Sequence, residues 1–269
     1  MMRARDLDTL IASGMGAVLV SVADTKGSTP REAGALMIVT ENSALGTIGG
    51  GALEFRAIDQ ARQMLSSGTA DEQVMDLPLG PEIGQCCGGR VVLSLRTGDR
   101  AMLEDLREEL TRRQSGQPIV LIFGGGHVGT ALARALAPLP FRTRMIETRA
   151  DVLPADLPVP HTVLAMPEQE VRTAPAGSAI IVLTHDHALD YLIVSEALRR
   201  NDLAYVGLIG SKTKRATFEN RWRREGNAAE PMERLVCPIG GDAVKDKRPE
   251  VIAALAVAEI ATALLDPAR

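Results

Sequence analysis

At 269 residues the chain has room for one large domain or two ordinary ones. A composition of 45% hydrophobic and 24% charged residues is that of a globular protein, and a formal net charge of -4 argues against a nucleic-acid partner held by bulk electrostatics. Aromatics at 3% leave no stacking platform for single strands, and no apolar run approaches the roughly 18 residues of a membrane span.

The start carries Arg3 and Arg5, but Asp6 and Asp8 follow and the apolar run 17–22 is short, which does not read as a signal peptide. Residues 17–22 and 35–40 are β-rich, joined by a polar loop over 25–34. Residues 45–48 lead into Gly49-Gly50-Gly51 and a helix over 52–65, whose Leu53, Ala57, Ala61, Met64 and Leu65 recur at close to helical spacing. Further strands are expected over 73–77 and 90–95, with Cys86 and Cys87 in the glycine-bounded loop before the last. Residues 99–114 then form a charged amphipathic helix with Leu103, Leu106 and Leu110 on one side, and Ser115-Gly116-Gln117-Pro118 breaks the chain. These signals divide it into a mixed α/β domain over 1–98, a helical linker over 99–117 and a C-terminal domain over 118–269.

From Ile119 onward strands and helices alternate, which predicts a doubly wound parallel sheet with right-handed crossovers. Its later strands are expected over 163–166, 179–184, 204–209 and 234–237, and its last helix over 249–265, opened by a proline where the missing N–H does no harm. The first strand ends in Gly124-Gly125-Gly126-His127-Val128-Gly129, a glycine-x-glycine-x-x-glycine run ahead of a helix over 130–137. In a dinucleotide-type fold Gly124 turns the chain, Gly126 admits a phosphate and Gly129 packs helix against sheet. Glu147 closes the next strand at the position of the acid that holds a ribose.

Polar and reactive groups gather at the carboxyl ends of the later strands, where open parallel sheets bind ligands. Lys212, Lys214 and Arg215 follow a glycine turn at a helix start, which suits a phosphate or a solvated helix face. His185 and His187 have an alternate spacing but no further histidine cluster to complete a metal site, so ordinary polar or ligand contacts are favoured and the metal is left open. Cys237 reads either as a small buried hydrophobe or as a ligand contact. Cys86 and Cys87 can offer sulfur to a soft metal or to exchange, or be buried at a strand start, and at most one of them points at a given ligand. Gly49, Gly50 and Gly51 before the helix make an anion cradle, with Arg31 and Lys26 as cations, or only a tight turn. Three cysteines give no disulfide framework and no zinc-type pairing, so a reduced cytoplasmic setting is expected.

Several segments together resemble the xanthine dehydrogenase accessory protein family (XdhC/CoxI). They are Gly27-Ser28-Thr29-Pro30-Arg31-Glu32-Ala33-Gly34, Leu45-Gly46-Thr47-Ile48-Gly49-Gly50-Gly51-Ala52-Leu53-Glu54 and Gly84-Gln85-Cys86-Cys87-Gly88-Gly89 in the first half. In the second they are residues 123–129, Thr184-His185-Asp186-His187-Ala188-Leu189-Asp190, Tyr205-Val206-Gly207-Leu208-Ile209-Gly210-Ser211-Lys212 and Val236-Cys237-Pro238-Ile239-Gly240. The likeness covers nearly the whole chain, and the cysteine segment and paired-glycine loops are more specific than the glycine fingerprint. It implies a chaperone without turnover that binds molybdenum cofactor (molybdopterin), protects its sulfurated form and assists its insertion into the xanthine dehydrogenase apo-subunit. A cysteine desulfurase would supply the sulfur. Arg31, Gly49, Gly50, Gly51, Cys86, Cys87, Gly124, Gly126, Gly129, Glu147, His185, Ser211, Lys212 and Cys237 are the cofactor-binding candidates, and a homo-oligomer is left open. The segment 241–247 departs from the glycine-rich tail such a resemblance leads one to expect.

Two other readings compete. The Gly124 fingerprint and Glu147 fit an NAD(P)-dependent oxidoreductase, although no tyrosine–lysine pair or other hydride-transfer constellation accompanies them. A nucleotide-sensing module is the third. Glu147 favours an unphosphorylated ribose, while Arg149 keeps NADP open.

Overall fold

The computed structural model describes residues 2–68, 72–80 and 88–266, so Cys86 and Cys87 lie outside the described residues. The chain forms two compact units, Met1–Gln114 and Ser115–Arg269.

The first unit is built on a five-stranded antiparallel sheet. Its strands are β1 (Ala17–Lys26), β2 (Leu36–Val39), β3 (Ala44–Gly46), β4 (Gln73–Pro78) and β5 (Arg90–Gly98), in the order β3-β2-β1-β5-β4. Val18, Val20 and Val22 of the central β1 pack with Leu53, Ala57, Ala61 and Met64 of helix α2 (Gly51–Ser67). The alternate residues Ala17 and Leu19 join a second cluster with Leu7 and Leu10 of α1 (Ala4–Ser13) and Leu103, Leu106 and Leu110 of α3 (Arg100–Ser115). Successive side chains of a strand point to opposite faces, so β1 is apolar on both because both are covered. Helix α3 is therefore more than the linker its charge pattern implied. Its leucine stripe packs within the first unit, and each such buried leucine is worth roughly 1.5–3 kcal/mol. Helix α1 was not anticipated from the sequence.

The second unit carries a six-stranded parallel sheet in the order β11-β10-β9-β6-β7-β8. The strands are β6 (Ile119–Phe123), β7 (Arg142–Glu147), β8 (His161–Val163), β9 (Ala179–Val182), β10 (Tyr205–Leu208) and β11 (Leu235–Val236). One face packs α4 (His127–Leu136) and α8 (Pro249–Leu265), through Leu132, Ala133, Leu136, Ala253, Ala256 and Ile260. The other packs α5 (Glu168–Thr173), α6 (His187–Arg199) and α7 (Lys212–Arg224), through Val171, Ile193, Val194, Phe218 and Trp222. The sheet is doubly wound, and its strand order reverses between β6 and β9, the point at which such sheets open a crevice beyond their carboxyl ends. Two strands differ from expectation. β8 begins and ends earlier than 163–166 because it pairs in register with β7, Met145 opposite His161 and Glu147 opposite Val163. β11 is only Leu235–Val236, preceded by a 3-10 turn over Glu230–Arg234.

Candidate functional site

The glycine loop after β6 takes the form its sequence requires. Gly124 sits at φ +116°, where a side chain is strained, and a Cβ there would lie 2.3 Å from the carbonyl oxygen of Leu183 at the end of β9. Gly129 lies inside α4, and a Cβ on it would come within 2.0 Å of the Gly124 oxygen, so only glycine lets this helix approach the strand so closely. Gly126 is different. Its φ is an ordinary -67°, a Cβ there would meet nothing within 4 Å, and it caps α4 without any side-chain hydrogen bond. At the same sheet edge α6 is capped by the Asp186 carboxylate on the Ala188 amide, and α7 by the Ser211 hydroxyl on the Lys214 amide. Helix α4 thus starts without a capping side chain and with open space in front of Gly126. That arrangement suits an oxyanion of a ligand.

Glu147 is engaged by groups of its own loop. Its side chain is 3% exposed, and its oxygens are already taken. Oε2 accepts the Gly125 amide at 2.8 Å and Arg149 Nη2 at 3.2 Å. Oε1 accepts the Thr148 amide and hydroxyl, the Arg149 amide and Arg149 Nε, at 2.8–3.2 Å. Burial alone pushes this carboxyl up, but the Arg149 guanidinium and the amides of Gly125, Thr148 and Arg149 outweigh it and hold the group at about 2. A carboxylate with this many donors braces the glycine loop, and little is left of it for a ribose hydroxyl. The NAD(P) expectation loses its main support here.

The cations after β10 are also engaged. Lys212 pairs with Asp242 at 2.5 Å on the surface. Lys214 Nζ lies 2.6 Å from Asp190 Oδ2 and donates to the Ile209 carbonyl at 3.0 Å. Asp190, 1% exposed, also accepts the Thr184 amide and hydroxyl, at 3.0 and 2.7 Å, which ties the end of β9 to the start of α7. Arg215 donates to the carbonyls of Leu235 and Met232. The strip 212–215 is therefore a brace between three strand ends before it is a phosphate clamp. Ser211 and His185 are exposed at the same edge.

Cys237 is 7% exposed, with its Sγ 4.0 Å from the Ser211 carbonyl. Burial pushes its thiol up against the pull of Lys214 and Arg215, so it is held as a thiol. The same region is tied to α8 by Glu259, which accepts Tyr205 Oη at 2.8 Å and the Gly240 amide at 2.9 Å. Among the described residues no group of three or more His, Cys, Asp or Glu side chains could hold a metal ion.

In the first unit Gly49, Gly50 and Gly51 all have positive φ, at 131°, 76° and 61°. The turn is folded onto Glu54, whose Oε2 accepts the Thr47 hydroxyl and the amides of Ile48 and Gly50 at 2.6–3.1 Å, while the Gly49 amide donates to Thr47 Oγ1. These amides face an internal carboxylate and hydroxyl rather than an anion cradle. Arg31 is exposed beside the turn, its Cγ 3.7 Å from where a Gly49 Cβ would stand. Glu54 as the organiser of this loop was not anticipated from the sequence. Four residues from Gly50, one helical turn on, it is in reach of the loop amides, and that spacing was the available signal.

The order 6-5-4-1-2-3 read along the sheet, with a glycine loop at the reversal, defines a Rossmann-type domain coupled to an antiparallel α/β unit. Residues 120–260 match the XdhC Rossmann domain, and residues 10–76 match the XdhC and CoxI family. The chain belongs to the XdhC and CoxI family. It is 26% identical over 258 residues to the molybdenum cofactor insertion chaperone PaoD of Escherichia coli strain K12, covering 86% of this chain and 78% of that one. It is also 26% identical over 257 residues to the uncharacterized protein YqeB of the same organism, covering 90% of this chain but only 42% of YqeB, so the chain spans less than half of that relative. A crystal structure described as a xanthine dehydrogenase from Bacillus halodurans has the same fold, with a TM-score of 0.81 at 17% identity, over 99% of this chain and 97% of the other. No helix among the described residues is long and apolar enough to cross a membrane.

Proposed function

We propose that this protein binds molybdenum cofactor, protects its sulfurated form and delivers it to the apo-subunit of a xanthine dehydrogenase-type enzyme in the cytoplasm, without turnover of its own. The observation that carries this reading is the contrast at the second unit's sheet edge. An open helix start with room at Gly126 fits the cofactor's phosphate, while the saturated Glu147 offers a nucleotide's ribose little. The PaoD likeness supports the cargo. A cysteine desulfurase is the proposed sulfur source. One of Cys86 and Cys87 is the proposed sulfur-protecting residue, because Cys237 is buried as a neutral thiol and is a poor soft donor in that state. Arg31, His185, Ser211 and Lys212 are proposed as polar contacts of the cofactor.

The test is to purify the protein from a host that makes the cofactor, and to assay pterin and molybdenum together. The two are expected to co-purify in near-equal amounts, and a folded Gly126→Val variant is expected to retain much less of both. Absence of pterin from the parent protein, with NAD(P) bound instead, would overturn the reading.

A further inference from the structure

In the first unit, the loop between β1 and β2 is held from two sides. Where it leaves β1, the segment leading into β5 packs against it. A Cβ on Gly89 would lie 2.2 Å from the Ser28 carbonyl oxygen and 2.8 Å from that of Lys26. Further along, a Cβ on Gly49 would lie 2.5 Å from Cγ of Pro30, whose ring fixes its own backbone. Residues 88 and 89 are locked in turn to Leu79, which accepts the Gly88 amide at 2.8 Å and donates to the Gly89 carbonyl at 2.7 Å. The loop is therefore set in advance of any ligand, which lowers the cost of binding one.

That seating decides where the donors point. The carbonyls of Lys26 and Ser28 face Gly89, and in a trans peptide the N–H lies opposite the C=O. The amides of Gly27 and Thr29 are thus turned away from β5, to the β2 side of β1, where the loop returns through Arg31. Among the described residues these two amides, the Ser28 and Thr29 hydroxyls and the Arg31 guanidinium meet no acceptor. Lys212, Lys214 and Arg215 of the second unit are by contrast all engaged. Lys26 acts on Asp76, and Glu32 makes no ion pair with the neighbouring Arg31. The Gly49–Gly51 turn beside the loop cannot compete, because its amides are spent on Glu54 and Thr47. We infer that residues 27–31 form a binding site for a tetrahedral oxyanion of the phosphate class. Its oxygens would take the two amides, the two hydroxyls and the planar fork of Arg31. The site belongs to the first unit alone and does not depend on molybdenum cofactor being the cargo.

The probe is inorganic phosphate, titrated by calorimetry onto the full-length Gly126→Val protein, in which the second unit's loop is blocked. A single phosphate is expected to bind each chain, with a Kd of about 1 mM. Arg31 is exposed, so Arg31→Gln removes the charge without disturbing the core, and it is expected to weaken binding roughly tenfold. Arg31→Lys keeps the charge but loses the fork, and should fall between the two. No binding to the Gly126→Val protein at about 10 mM phosphate, or equal binding with and without Arg31→Gln, overturns the site. Phenyl phosphate separates the sources of the oxyanion. Binding as tight as that of inorganic phosphate supports a site open to the phosphate ester of a larger molecule, and its exclusion supports a site for the free oxyanion. Co-purification of pterin enters none of these outcomes, so the chaperone reading and the oxyanion site stand or fall separately.

Discussion

Glu147 and Gly125 are 22 positions apart and joined by a 2.8 Å hydrogen bond from the Gly125 amide to the Glu147 carboxylate. That bond fixes the glycine loop from below. Glu147→Gln keeps the shape but loses the charge and turns an amide nitrogen toward donors. Urea unfolding at pH 7 is expected to show a loss of roughly 2–3 kcal/mol, as for a buried charge-assisted network that is broken on one side. A variant as stable as the parent would mean that the network contributes nothing.

The same residue predicts the response to acid. Glu147 titrates near 2 in the folded protein against an ordinary value of 4.5, so the unfolded chain binds its proton first. Its contribution to stability is complete above about pH 4.5 and is lost progressively as pH falls toward 2. With Arg149 partly exposed, the contribution is roughly 2–3 kcal/mol. Parent and Glu147→Gln unfolding curves are therefore expected to converge between pH 4.5 and 2. A gap that stays constant over that range would remove Glu147 as the cause.

The glycines of one motif are expected to separate by substitution. Gly129→Ala forces a methyl group to within 2.0 Å of a backbone oxygen, which cannot rotate away, and should cost at least 1–3 kcal/mol. Gly126→Ala meets nothing within 4 Å and should change stability by well under 1 kcal/mol. Thermal unfolding of the two variants side by side checks this, and equal losses would refute the division of roles.

The frame of the glycine loop was legible in the sequence because Gly124 and Gly129 each answer a close backbone approach that leaves no room for a side chain. The same holds for the sheet, whose strands end where the apolar runs meet glycine or polar turns. The occupancy of Glu147 was not legible. It depends on where Arg149 folds back and on which amide of the loop comes within reach, both of which are tertiary facts. The cations at 212–215 gave a phosphate-like pattern for the same reason: their partners Asp190, Asp242, Met232 and Leu235 lie 17–30 positions away.

The Asp190–Lys214 pair offers a double test. Asp190 is 2% and Lys214 20% exposed at the side chain. Asp190→Ala alone should cost about 3–5 kcal/mol, since it strands the ammonium and the Thr184 donors. Replacing both, with Lys214→Met, should recover part of that loss in chemical denaturation. Strict additivity of the two single effects would show that the residues act independently.

Helix α4 could have been closed at its start by its own chain. At Gly126 the backbone is extended and the space is clear, so an aspartate or serine would fit and would supply the missing cap, as Asp186 and Ser211 do for the neighbouring helices. The gain over glycine would be only a few tenths of a kcal/mol. A vacancy that is so inexpensive to keep can be filled by design. Gly126→Asp would act as a built-in competitor, an intramolecular anion that leaves the fold at least as stable while it shuts the loop to any outside oxyanion, and so separates what the loop does for folding from what it does for cargo.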